Sequence, residues 1–244
     1  QNPNYLGAVE DAAALAPAAK DSPAVVVGAY DPIPLGLLKA PGECGVDVAV
    51  GEGQSLGNRL DFGGPSFGFF AATEAYLRRM PGRIAGETTD VDGRRGVVLT
   101  RQTREQHNRR EKATSNICTA QALNALAGVV YLSWLGRQGL VELGELLLQR
   151  THYAREALAA LDGVAKLHDQ PVVREFALKL DDDLDVERIV DRCQDAGVHP
   201  GLALEGNVLL VALTEQRSRA DIDRLVDVLG AAVAAQRAGN EVAA

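Results

Sequence analysis

The sequence predicts an α/β protein, and three observations carry that prediction. Short apolar, β-branched runs in the first half read as buried strands. Apolar residues at three- and four-residue intervals from Gln121 to Leu161 read as helix, and beyond Asp162-Gly163 a strand, helix, strand, helix succession follows.

In chain order, Gln1 to Gly7 reads as a loop that should follow a strand. With no initiator Met ahead of it, the chain is expected to be a fragment of a longer protein. Helix pattern runs from Val9 to Ala19. Ala24 to Tyr30 is a strand-like run ended by Asp31-Pro32, and Val46 to Val50 is a second. A glycine-rich loop from Gly51 to Pro65 comes next, and Ser66 to Thr73 resumes as a strand. The helical stretch is broken by Gly136 and Gly139, which predicts a helix-turn-helix spine. Glu175 to Leu180 alternates as a strand, and Asp185 to Ala196 is an amphipathic helix closed by Gly197. Val208 to Leu213 is a strand, and a last helix starts after Ser218 as N-cap with Asp221 in its first turn. The expected organisation is a sheet-rich segment over 1–120, a helical spine over 121–162 and a small α/β domain over 163–244.

Composition narrows the function classes. A chain of 244 residues that is 46% hydrophobic can bury a core. A formal net charge of -8 argues against general nucleic-acid or anionic-membrane binding, because phosphate affinity is built from Lys and Arg. Cys44, Cys118 and Cys193 are odd in number and widely spaced, so neither a disulfide framework nor a thiolate metal site is predicted. His152, His168 and His199 show no ligand spacing, and no metal is expected. No apolar run reaches the length of a membrane span, and the first residues lack a leader pattern. The expectation is a cytoplasmic protein.

Two stretches are candidates for chemistry. Gly51-Glu52-Gly53-Gln54-Ser55-Leu56-Gly57 follows a strand as phosphate loops do, but its spacing is neither the dinucleotide fingerprint nor the Walker pattern. A tight structural loop is the favoured reading, although glycines also admit close approach of a ligand or of another chain. In the second, Arg101, Arg104, Arg109, Arg110 and Lys112 outnumber Glu105 and Glu111 inside an acidic protein, which is how a carboxylate or phosphate site is often made. The bland alternative is surface ion pairing, since Glu105 with Arg109 and His107 with Glu111 stand four residues apart. Ser115 or Asn116 could cap the helix that follows, and Cys118 at its start reads as a packed small hydrophobe.

The stretch R-Q-T-R-E-Q-H-N-R-R-E-K-A-T-S-N-I-C-T-A-Q-A-L over 101–123 does not stand alone. With Q-N-P-N-Y-L-G-A-V-E-D, V-G-E-G-Q-S-L-G-N-R-L-D-F-G-G-P and M-P-G-R-I-A-G-E-T-T-D in order ahead of it, it closely resembles the glycine decarboxylase family, the P-protein of the glycine cleavage system. The resemblance is closest to the α subunit (subunit 1) of the two-subunit bacterial form, in its C-terminal portion. One departure stands out: Ala120 in Cys118-Thr119-Ala120-Gln121, where the family usually has Asn.

The resemblance implies a fold type I pyridoxal phosphate architecture, a partial large domain with a mixed or parallel sheet plus a small α/β C-terminal domain. It implies decarboxylation of glycine on pyridoxal phosphate, with the aminomethyl group passed to the lipoyl arm of the H-protein. It also implies a catalytic β subunit as partner in an α2β2 assembly. In that fold the cofactor lysine follows a sheet strand, where the loop from Gly51 to Pro65 stands here, and that loop has no lysine. The lysines are Lys20, Lys39, Lys112, Lys166 and Lys179, with Lys112 the rival for an aldimine. The expectation is therefore that this chain holds no internal aldimine, has no catalytic residue of its own and leaves the cofactor to its partner. Arg104, His107, Arg109, Arg110, Lys112, Ser115, Asn116, Gly63 and Gly64 are the substrate or subunit-interface candidates. A degenerate or truncated assembly module, pairing with the β subunit without catalysis, remains the alternative; the absent lysine and Ala120 favour it.

Overall fold

The structure, a computed structural model, describes residues 1–19, 22–102, 110–113 and 121–243. Its first sheet holds β1 (Val27–Ala29), β2 (Val48–Glu52) and β3 (Gly68–Ala72) in the order β1-β2-β3. β1 and β2 are parallel, with Val27 beside Val48, and β2 and β3 antiparallel, with Val48 beside Ala72. The sheet is therefore mixed. The Asp47 carboxylate accepts the Val26 N–H at 2.9 Å, which fixes the parallel pair at its start. β1 is shorter than the apolar run predicts, and β2 starts two residues later than expected and extends to Glu52. Asn2 reaches the outer side of β1's end, bridging in parallel to Tyr30. Short helix α1 (Ala12–Ala18), capped by Asp11 through the Ala14 N–H, packs near the turn at Pro41–Cys44.

A hairpin of β4 (Arg83–Thr89) and β5 (Arg95–Gln102) forms a separate two-stranded sheet. Its turn is built by Asp90, whose carboxylate accepts the N–H groups of Asp92 and Arg94, with Gly93 in the left-handed region. Sequence reasoning did not assign these strands. The signal was present: Asp92-Gly93 precedes the run Val97-Val98-Leu99-Thr100.

The spine is α2 (Ala122–Ala159), interrupted at Gly136, where φ is 62° and ψ is -174°. The break falls at Gly136 alone, and Gly139 lies within the second helical half. That half packs on a four-stranded antiparallel sheet of β6 (Val164–Lys166), β7 (Glu175–Leu180), β8 (Leu202–Leu204) and β9 (Val208–Ala212), ordered β6-β7-β9-β8. Helices α3 (Val186–Asp195) and α4 (Arg219–Ala243) complete that unit. Phe176, Leu178, Leu180, Ile189, Leu209 and Leu229 are fully buried between the sheet and the helices, each such side chain stabilising by about 1.5–3 kcal/mol relative to exposure. The local signals explain the boundaries. Asp185 caps α3 through the N–H groups of Glu187 and Arg188, and Ser218 with Asp221 forms a reciprocal capping pair at α4.

The sheet's other face is covered as well. Ala177, Val208 and Leu210 pack against Leu6 from the opening loop. Val9 donates its N–H to the Pro171 carbonyl at 2.8 Å, and Ala8 bridges Val172. This seam joins the opening segment to the C-terminal sheet and brings β7 beside the ends of β1 and β2.

Among the described residues no helix is long and apolar enough to cross a membrane.

Candidate functional site

The carboxyl ends of parallel strands are where open α/β sheets place ligands, and a cavity of about 290 Å³ lies there. β1 delivers Tyr30 and Asp31; β2 and the loop after it deliver Glu52, Gln54 and Ser55. The opposite wall is Arg174 and Glu175, carried in by the start of β7.

Charge pairing fixes the geometry. The Arg174 guanidinium donates to the Asp31 carboxylate across the cleft, joining residues 143 positions apart; their side chains are 23% and 16% exposed. The second Asp31 oxygen accepts the Ile33 N–H at 3.2 Å. Burial raises the Glu175 carboxyl above its usual value; Arg174 opposes that rise and Asp31 adds to it. Burial likewise raises the Tyr30 phenol, with Cys44 contributing. Glu52 accepts the Gln54 N–H at 2.9 Å and the Ser66 hydroxyl, and the Gln54 amide donates to the Asn58 carbonyl at 3.0 Å. The loop after β2 is thus pinned by its own polar groups.

The arrangement can bind hydrogen-bond donors and amines. Among the described residues no lysine lines the cleft, and Arg174, the arginine that does, is committed to Asp31. Lys39 and Lys112 are exposed elsewhere. Lys166 pairs with Glu156 at 2.6 Å, and Lys179 with Asp182 at 3.1 Å. Lys20 lies outside the described residues. Among the described residues no group of three or more His, Cys, Asp or Glu could hold a metal ion.

The residues singled out by sequence are elsewhere or undescribed. Arg110 and Lys112 stand exposed on a 3-10 turn and do not line the cleft. Gly63 and Gly64 sit in the loop after β2, also outside the cleft lining. Arg104, His107, Arg109, Ser115, Asn116 and Cys118 fall outside the described residues. Sequence reasoning missed Arg174 and Glu175. The only available signal was a charged pair at the head of an alternating strand.

Residues 1–229 match the family described as the glycine cleavage system P-protein. The chain is similar to a probable glycine dehydrogenase (decarboxylating) subunit 1 from Desulforamulus reducens, 51% identical over 95% of this chain and 53% of that protein. The like-named protein of Geotalea daltonii is 48% identical over 96% of this chain and 54% of its own length. The chain therefore spans about half the length of the curated relatives it matches. Among solved structures, a glycine decarboxylase (P-protein) of the glycine cleavage system, in inhibitor-bound form, superposes with a TM-score of 0.88 at 43% identity, over 95% of this chain and 54% of that one. A sphingosine-1-phosphate lyase from Burkholderia pseudomallei, 18% identical, shares the fold with a TM-score of 0.64 over 93% of this chain and 49% of that one. The architecture is the fold type I α/β scaffold of pyridoxal phosphate enzymes. This chain belongs to the glycine cleavage system P-protein family.

Proposed function

We propose that this chain is one subunit of a cytoplasmic glycine dehydrogenase (decarboxylating) of the glycine cleavage system, acting with a second subunit. The reaction decarboxylates glycine and passes the aminomethyl group to the lipoyl arm of the H-protein. Pyridoxal phosphate supplies the electron sink for such chemistry. The described residues that line this chain's cleft do not fit that group, and we assign the cofactor to the partner subunit of an α2β2 assembly. The observation that carries the reading is the donor set at the ends of β1 and β2. Asp31, Glu52 and Glu175 are carboxyl groups, Gln54 and Ser55 are neutral, and Arg174 is held by Asp31. Among the described residues, a phosphate brought there would meet these acids and an arginine side chain already engaged, and an aldehyde would meet no lysine amine. The cationic segment with Arg104, His107, Arg109, Arg110 and Lys112, together with Ser115 and Asn116, and the Gly63-Gly64 turn are assigned to contact with the partner.

Incubation of the purified chain with pyridoxal phosphate, borohydride reduction and peptide mass analysis tests the reading. The expected result is no stoichiometric adduct on any lysine of this chain, and a single adduct on the second subunit when the two are mixed. A stoichiometric adduct on one lysine here, above all Lys112, overturns it.

A further inference from the structure

Strand β8 begins only at Leu202, opposite Leu210, so the last two residues of β9, Val211 and Ala212, have no partner in β8. The chain ahead of β8 is occupied in leaving α3. Gly197 takes the left-handed conformation at φ 76°, and the Val198 N–H donates to the Cys193 carbonyl at 2.9 Å, which turns the backbone off the helix. His199-Pro200 follows, and proline has no N–H to give to a strand ladder. A cavity of about 270 Å³ is left between this turn, the end of β9 and the start of α4.

The cavity has an apolar floor and a cationic mouth. Val211, Leu213, Ile222 and Leu225, all buried, line it from the core side. His199, Arg217 and Arg224 line it from the exposed side. One Arg224 nitrogen donates to the Ala196 carbonyl at 3.2 Å, which holds the guanidinium beside the turn and leaves its other N–H groups free to donate. Arg219 is paired with Asp223 at 3.9 Å, whereas among the described residues Arg217 enters no ion pair. The His199 Nδ1 accepts the Gly201 N–H at 3.3 Å, which leaves Nε2 as the donor of the ring. Asp221 is the acid on this lining, and its Oδ2 accepts the Ser218 N–H at 2.7 Å and the Ser218 hydroxyl at 2.8 Å. Those bonds, and then the charges of Arg217 and Arg224, hold its carboxyl below the usual value. Two guanidinium groups against one carboxylate leave the mouth cationic in a chain whose formal net charge is -8.

We propose that this cavity binds a small monocarboxylate with a compact apolar body, the body against Val211, Leu213, Ile222 and Leu225 and the carboxylate between Arg217 and Arg224. An apolar concavity with a few polar groups at its mouth is the make-up of a small-molecule site, and guanidinium groups match a carboxylate with paired N–H···O bonds. A hydrated inorganic anion gains nothing from four buried aliphatic side chains, and an amine would face two like charges. The site is separate from the cleft. Successive strand residues point to opposite faces: Val211 packs on the side of α3 and α4, while Leu210 packs with Ala177 toward Leu6, the face that Glu175 shares. The proposal therefore does not rest on the two-subunit reading.

Calorimetric titration of the purified chain with benzoate tests this, with acetate as the same charge without the body and benzylamine as the body with the opposite charge. Benzoate should bind, acetate at least about tenfold more weakly, and benzylamine not at all. Arg217→Gln should weaken benzoate about tenfold, the size of one lost charged hydrogen bond, and Arg217→Glu by more. The Arg217 side chain is exposed, so far-UV circular dichroism and Tm should stay unchanged in both variants. The family's second subunit, added to the benzoate-bound chain, should not displace the ligand. Absence of benzoate binding, equal affinity for acetate or for benzylamine, Arg217 variants that bind as wild type, or displacement by the second subunit would each overturn the proposal.

Discussion

The ion pair between Asp31 and Arg174 is the link whose loss should be easiest to measure, because it crosses from the end of β1 to the head of β7. Both side chains are largely buried, at 16% and 23% exposure, so neither charge recovers full hydration when its partner goes. A charged hydrogen bond in such a setting is worth about 1.5–3 kcal/mol. Asp31→Ala also strips the Ile33 N–H of its acceptor, which adds about 0.5–1 kcal/mol. Asp31→Ala is therefore expected to cost about 2–4 kcal/mol, and Arg174→Ala about 2 kcal/mol, since Asp31 keeps the Ile33 contact. Removing both leaves no orphaned charge, so the double variant should resemble Asp31→Ala alone, with a coupling of about 1.5–2 kcal/mol. Urea titration followed by far-UV circular dichroism gives the four stabilities, provided the slopes agree. Carbon NMR of the Glu175 carboxyl supplies a second readout. Its titration should move up in Arg174→Ala, which removes the opposing cation, and down in Asp31→Ala. A coupling below about 0.5 kcal/mol would refute the reasoning and make the pair an ordinary surface contact.

Glu175 makes a pH prediction of its own. Its carboxyl is raised by burial from the ordinary value of 4.5, so the folded chain keeps that proton after the unfolded chain has lost it. Its contribution to stability is therefore most favourable below the unfolded value. It falls as pH climbs from about 4.5 to the raised folded value, and is level above that. Glu175→Gln should flatten that fall, gaining on wild type at pH 7 but not at pH 4; equal stability differences at both pH values, read from urea midpoints, would contradict it. At Gly7, φ is 84° and an added Cβ would stand 2.1 Å from the Glu175 carbonyl oxygen. Gly7→Ala should thus cost about 2–4 kcal/mol, combining left-handed strain with overpacking against backbone; a loss under about 1 kcal/mol would mean the seam yields readily.

The parts of the fold legible in sequence are those where a local signal and the tertiary environment agree. Ser218 announced α4 as its cap and serves as one, and the amphipathic pattern from Asp185 announced α3, which Asp185 caps. Glu175 to Leu180 alternates in sequence, and β7 spans the same residues. Ala177, on the face opposite Phe176 and Leu178, is fully buried as well, because Leu6 arrives from the far end of the chain. No local pattern encodes that visit. The site shows the same division. Five cations within twelve residues drew attention to 101–112 because charge density is a local property. The cleft's charges come singly, Asp31, Glu52 and Arg174 from separate strands, and their meeting depends on sheet register that sequence does not carry.

The glycine-rich loop shows how structure separates two readings that sequence left open. A glycine kept for a ligand should have empty space where its Cβ would stand, whereas one kept for packing should have protein there. At Gly51 that position is 2.2 Å from the Tyr30 carbonyl oxygen and 2.2 Å from the Phe69 ring. The chain's own strands therefore require this glycine, and it says nothing about a phosphate. Gly63 is the reverse: nothing lies within 4 Å of its added Cβ, and φ is 108°. The open glycine thus lies away from the cleft, next to Phe62 and in the loop whose Pro65 carbonyl Asn124 holds. A loop that looked like a ligand cradle in sequence is, at its first glycine, a packing joint, and its open glycine stands outside the cleft.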